Sequence, residues 1–106
     1  MTKILNSAEL ATLIATGKPV VVDFFATWCQ PCKAMAPAVD ALAESLAGVA
    51  EVVKVDIEEG FEAAQKFKVR GVPAYMVFKN GEPVSTKNGV MQRQQFLDWA
   101  AAQVAA

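Results

Sequence analysis

The chain has 106 residues, 54 % of them hydrophobic, and a formal net charge of −1 from ten basic and eleven acidic side chains. That is one domain's worth of sequence, residues 1–106, with apolar material enough to fill a core without disulfide support. Scattered basic residues exclude the electrostatic footprint of a nucleic-acid binder, and no apolar run approaches the length of a membrane span.

In chain order, a short strand is expected at Lys3–Leu5. Asn6, with Glu9 three positions on, has the pattern of a capping box and opens a helix. Leu10, Leu13 and Ile14 form its apolar stripe, and Gly17 ends it as a glycine just past a helix does. The run PVVVDFFA (Pro19–Ala26) is apolar at both alternating sets of positions, which marks a strand covered on both faces. Met35, Val39, Leu42 and Leu46 then recur at helical spacing, so a long amphipathic helix follows, with a kink expected at Pro37 and a stop at Gly48.

Glu51–Ile57 alternates Val53, Val55 and Ile57 against Val52, Lys54 and Asp56 and reads as a second strand. A short helix is expected over Glu59–Phe67, acidic at its start and basic at its end as the helix dipole favours. Asn80-Gly81 is the two-residue signal of a type I′ hairpin, and Pro83 puts the second hairpin strand at a sheet edge. Gln92–Ala105 closes the chain as a helix presenting Phe96, Leu97, Ala100, Ala101 and Val104. A helix joining the first two long strands implies parallel pairing, and the hairpin adds antiparallel strands. The expectation is an α/β fold, a mixed sheet with helices on both faces.

The chemistry gathers at FATWCQPCKAM (Phe25–Met35), which holds the only two cysteines, Cys29 and Cys32. Cys29 falls just past the carboxyl end of the buried strand, at the mouth of the long helix, where open α/β sheets bind ligands. Pro31 suits the first helical turn, whose free N–H groups and dipole favour a thiolate at Cys29.

Four readings compete. A zinc site needs four ligands, and two thiols with no histidine do not supply them. Covalent haem needs a histidine after the second cysteine, where Lys33 stands. A purely structural bridge across so short a loop gains only about 2 kcal/mol. A reversible couple makes better sense of it, since a lowered thiol pKa raises the thiolate fraction and also improves Cys29 as a leaving group. Asp23 interrupts the apolar strand six residues earlier, and with no histidine present it is the best candidate for the proton of Cys32. Lys54, on the neighbouring strand, is placed to pair with Asp23. Loss of Asp23 is expected to slow turnover most at low and neutral pH.

WCQPCK closely resembles the active-site hexapeptide of the thioredoxin family. VVVDFFATWCQPCK, KVDIEE, FKVRGVPAYMVFKNGE and the glycine of NGV stand in that family's order and spacing, so the resemblance covers nearly the whole chain. It implies a thioredoxin-like three-layer sandwich and a thiol–disulfide oxidoreductase that reduces protein disulfides through a reversible Cys29–Cys32 couple.

In that resemblance Cys29 is the exposed nucleophile, Cys32 the buried resolving thiol, Asp23 the buried acid and Lys54 its lysine neighbour. Pro73 matches a cis-proline facing the disulfide, and Val72 offers backbone hydrogen bonds to an extended substrate. Trp28, Gln30, Pro31, Gly71 and Gly89 complete the expected contact surface. No bound cofactor or metal is implied. Re-reduction falls to an NADPH-dependent flavoprotein, thioredoxin reductase, and the substrates are disulfide-containing proteins. The N-terminal residues turn polar too early for a secretory segment, so a cytoplasmic monomer is expected, with no nucleic-acid or membrane partner. Three residues depart from the family pattern. Gln30 replaces a glycine, Phe25 an aromatic with a polar atom, and Ala74 a threonine whose loss is expected to alter substrate contacts.

Overall fold

The structure, a computed structural model, describes residues 2–106. The elements run β1 (Lys3–Ile4), α1 (Ser7–Ala15), β2 (Val20–Phe25), α2 (Gln30–Ser45), β3 (Glu51–Asp56), α3 (Phe61–Lys66), β4 (Ala74–Lys79), β5 (Glu82–Asn88) and α4 (Arg93–Ala105). The strands lie in the order β1-β3-β2-β4-β5. β3 pairs in parallel with β1 and β2, while β4 pairs antiparallel with β2 and β5. The α/β sandwich expected from the residues, a mixed sheet between helices, is what the chain adopts.

Local chemistry sets most boundaries where the residues predict them. Both capping-box bonds form at α1. The Glu9 N–H donates to Asn6 Oδ1 at 2.8 Å, and the Asn6 N–H donates to Glu9 Oε1 at 2.9 Å. At the hairpin Asn80 and Gly81 take φ values of 56° and 82°, the paired positive angles of a type I′ turn. Pro83 lies in β5, an edge strand, where its missing N–H breaks no interior ladder. α2 runs through Pro37, which sits on its solvent face.

Three boundaries shift for tertiary reasons. α3 begins at Phe61 rather than Glu59, because the chain leaving β3 first turns tightly, with the Gly60 N–H donating to the Asp56 carbonyl at 2.6 Å. α4 begins at Arg93, and its buried line is Phe96, Ala100 and Val104, one residue every helical turn. That line rotates Ala101 into solvent, against expectation, and half-buries Trp99, whose Nε1–H donates to Ser85 Oγ at 3.2 Å. β1 ends one residue early, and the Leu5 side chain turns into the core.

Two apolar layers sandwich the sheet. On one face Leu10 and Ile14 of α1 and Ala63 of α3 pack on Val20, Val22, Phe24, Val53, Val55, Met76 and Phe78. On the other, Met35, Val39 and Leu42 of α2 and Phe96 and Ala100 of α4 pack on Val21, Tyr75 and Val77. β2 is therefore buried on both sides, and each fully buried large side chain in it contributes roughly 1.5–3 kcal/mol. Thr2 ties the amino end to α2, its N–H and hydroxyl donating to Asp40 Oδ1 at 3.0 and 2.6 Å.

Gly60 is where the packing leaves least room. A Cβ there would meet Val55 Cγ1 at 2.5 Å and the Asp56 carbonyl oxygen at 2.9 Å. Gly60→Ala is expected to lower stability by about 1–3 kcal/mol in urea denaturation, since the obstacle includes backbone. An unchanged midpoint would show that the β3–α3 turn yields freely.

Candidate active site

β2 delivers the chain to the site. After Phe25 the backbone turns through residues 26–28, and Cys29 becomes the N-cap of α2. Its Sγ accepts the Cys32 N–H at 3.2 Å, so the sulfur fills the capping place usually taken by an oxygen. Pro31 lies in the first turn, where it forfeits no intrahelical bond. Cys29 and Cys32 form a disulfide with Cα atoms 5.3 Å apart, the spacing an i,i+3 pair reaches on a helical turn. The sulfur of Cys29 thus sits against the free N–H groups and positive dipole end of a 16-residue helix, which favours its thiolate once the bridge opens.

The expected contrast in exposure between the two cysteines is not found. Cys29 is 4 % exposed and Cys32 5 %, because the closed bridge draws both sulfurs against Ala26, Phe25, Ile57 and Val72. What separates them is position on the helix, cap against first turn.

Asp23 lies in the middle of β2, 2 % exposed, with Lys54 opposite it on β3. Its alternation with Val21 turns it to the α2 side of the sheet. No hydrogen bond reaches its buried Oδ1. Burial pushes its carboxyl up to about 7, and the opposing pull of the Lys54 charge is the smaller effect. Lys54 acts through space, not as a bonded partner: its ammonium lies 4.6 Å above the ring of Phe25. Phe25, which lacks a polar atom of its own, therefore gives the lysine an aromatic face to rest on.

The cis-proline expected at Pro73 is present as a cis Val72–Pro73 bond. Pro73 is buried and Val72 packs on the cystine. Gly89, at φ +83°, turns back so that its N–H donates to the Pro73 carbonyl at 2.9 Å. Trp28 is not a core residue but 63 % exposed, and Gln30, Pro31 and Gly71 are exposed as well. Ala74 is turned inward. It is 2 % exposed and packed in the core cluster with Phe24 and Met76, so it offers no side chain to a substrate.

A cleft of about 460 Å³ includes Gly71, Val72, Pro73 and Gly89 in its lining but neither cysteine, so it flanks the reacting sulfurs. Residue patterns did not single out Ile57 or Ala26 as neighbours of the cystine, because only the parallel register of β2 and β3 brings Ile57 there. Among the described residues no three histidine, cysteine, aspartate or glutamate side chains converge to hold a metal. The arrangement is suited to thiol–disulfide exchange, with a helix-capped sulfur, a second sulfur one turn along and a buried carboxyl poised near neutrality.

Comparison with known proteins agrees. The family model described as Thioredoxin matches residues 1–102. Thioredoxin of Rickettsia conorii is 36 % identical over 96 residues, 91 % of either chain. That of Rhodospirillum rubrum is 40 % identical over 98 residues, 92 % of this chain and 93 % of the relative. The solved structure of Plasmodium falciparum thioredoxin superposes with a TM-score of 0.88 at 31 % identity, covering 95 % of this chain and 98 % of that one. A mutant thioredoxin from Halobacterium salinarum gives 0.85 at 31 % identity, over 95 % and 88 %.

The carboxyl of Asp23 has a consequence for stability. An unfolded aspartate releases its proton near pH 4, while the folded one holds it to about 7. Across that window the folded state binds more protons, so stability falls as pH rises, by about 4 kcal/mol at most above pH 7. Asp23→Asn is therefore expected to raise stability at pH 8 and to leave it nearly unchanged at pH 4, as read from urea midpoints of the oxidised protein. An equal effect at both pH values would place the cost in packing and not in charge.

Proposed function

The chain belongs to the thioredoxin family and is a thiol–disulfide oxidoreductase that reduces protein disulfides through the Cys29–Cys32 couple, and from that premise we propose how its residues divide the work. The observation that carries the reading is the sulfur of Cys29 serving as N-cap of α2. With the bridge reduced, the Cys29 thiolate attacks one sulfur of a substrate disulfide. That S–S bond breaks, a Cys29–substrate bond forms, and the departing thiolate takes a proton. Asp23 as carboxylate accepts the Cys32 proton. The Cys32 thiolate then attacks Cys29, closing the intramolecular bridge and releasing the substrate's second thiolate. Two electrons pass to the substrate, and the chain is left as the disulfide seen in the structure.

Lys54 tempers the cost of charge at Asp23 and so keeps the carboxyl near neutral pH instead of well above it. Trp28, Gln30 and Pro31 form one bank of the substrate surface, and Gly71, Val72, Pro73 and Gly89 the other. Val72, packed on the cystine and next to the cis bond, offers its main chain to an extended substrate segment. Re-reduction is assigned to an NADPH-dependent flavoprotein, thioredoxin reductase, and the substrates to disulfide-bearing proteins. The couple, Asp23 and the cis-proline all come from one chain, which supports action as a monomer. A reductant of protein disulfides is renewed in a reducing compartment, so the cytoplasm is the proposed site of action.

Cys29→Ser is expected to abolish reduction of a disulfide-bonded substrate. Cys32→Ser is expected to accumulate a mixed disulfide through Cys29, detected as a covalent adduct by mass spectrometry. An active Cys29→Ser protein would overturn the assignment of the nucleophile. The raised carboxyl also revises where Asp23 matters. Below pH 7 it is already protonated, and at sufficiently alkaline pH the thiol ionises unaided. Asp23→Ala should therefore slow release of the mixed disulfide most between those limits, and not at low pH. Single-turnover kinetics across pH 5–9, run as ~0.5-unit steps, would read this, and a pH-independent effect would remove Asp23 as the proton acceptor.

A further inference from the structure

Two buried polar atoms of the described residues lack a hydrogen-bond partner, Oδ1 of Asp23 and the hydroxyl of Tyr75. They belong to facing residues. β2 and β4 pair antiparallel with Asp23 opposite Tyr75, so both side chains leave the same face of the sheet, with Cβ atoms about 5 Å apart. Tyr75 is fully buried, its ring 4.7 Å from that of Phe96 on α4. The remaining neighbours on that face, among them Val21, Met35 and Val77, are apolar. Phenylalanine would fill this space without stripping a hydroxyl of water, which makes the oxygen of Tyr75 a cost that packing does not explain.

The neighbourhood of Asp23 contains few other charges. Lys54 faces it from β3, with Asp56 one alternation further along that strand and bonded to the Glu58 N–H. From α2 come the two cysteines and Asp40, whose carboxyl is engaged by Thr2. α4 turns only Phe96, Ala100 and Val104 inward. From β5, Lys87 stands opposite Tyr75, and Ser85, opposite Val77, is engaged by the Trp99 N–H; the Tyr75 hydroxyl is the neutral dipole on the strand directly across from the carboxyl. Burial, and after it the Asp23 charge, hold the phenol above its ordinary range, so it keeps its proton.

We propose that Tyr75 is a positioning residue for proton transfer: its hydroxyl dipole, set opposite Asp23 by the β2–β4 register, stabilises the Asp23 carboxylate and raises the fraction ready to accept the Cys32 proton. In a dry interior such a dipole acts more strongly than it would in water. The inference rests on Asp23 being the proton acceptor.

Tyr75→Phe removes one oxygen and leaves the ring. The Asp23 carboxyl, followed by NMR on aspartate labelled with carbon-13, is expected to titrate higher by about 0.5 or more in the variant. Near pH 7 the rate of mixed-disulfide release should fall about twofold, its acid limb moving alkaline by the same 0.5 or so. In an Asp23→Asn background the same substitution should leave the pH profile unmoved. Tyr75 is the only tyrosine, so a second measurement needs no variant. With tyrosine labelled at the ring carbon bearing the hydroxyl, its signal should move with the titration of Asp23. An Asp23 titration unchanged in Tyr75→Phe, or a tyrosine signal blind to it, would overturn the proposal and leave the oxygen a passenger in the core. If Asp23→Asn by itself left release unchanged, the acceptor assignment would fail separately, while the two titrations would still decide whether the hydroxyl is coupled to the carboxyl.

Discussion

β2 is hydrogen-bonded along both edges and covered on both faces, and that enclosure governs the rest of the molecule. Side chains on a strand so enclosed are withdrawn from bulk solvent, so a polar one placed in it bears the cost of burial. It also leaves the chain one exit, at its carboxyl end, where residues 26–28 turn and α2 begins. The sulfur of Cys29 lands on the helix N-terminus as a result of that exit, and Asp23 sits in the dry interior as a result of the same enclosure.

The electrostatics of the site follow from how incompletely Asp23 is compensated. Its strand neighbour Lys54 supplies opposite charge, but the ammonium rests over Phe25 and the carboxyl keeps an oxygen without a hydrogen bond. Full pairing would return the carboxyl to its ordinary acidic range, where it is too weak a base to relieve a thiol. Burial without any lysine would carry it further above neutrality. The arrangement costs the fold stability and leaves a carboxyl that titrates near the pH at which thiols exchange, as the proposed proton acceptor must. The helix terminus adds a modest bias at Cys29, useful because a lower thiol pKa serves both attack and departure.

Around this interior the contact surface is built from main chain as much as from side chains. Gly89 reaches back to the Pro73 carbonyl, and the cis bond aims Val72 at the cystine. Ala74, one residue beyond Pro73, belongs to the core, so the chain passes from the cystine's neighbourhood into the sheet interior across a few residues. Trp28 and Gln30 are exposed beside the cystine, so differences there disturb the core little.

The residues by themselves determined the element order, both signals at α1 and the hairpin, the two-faced burial of β2, and the pairing of Cys29 with Cys32 at a helix mouth. Each is written in short-range patterns, namely capping geometry, period-two alternation, a turn dipeptide and a three-residue cysteine spacing. Family resemblance supplied Pro73 and Gly89, since nothing local in GVPA or NGV asks for a cis bond or a return contact. Only the tertiary structure decided the rest. The register of β2 with β3 set Lys54 above Phe25, and the register of β2 with β4 put Tyr75 across from Asp23. Packing against Ala26, Phe25, Ile57 and Val72 buried Cys29 as fully as Cys32. These pairings join residues far apart in the chain, so no local pattern records them, and burial, which sets the carboxyl near neutrality, exists only once both faces of the sheet are covered.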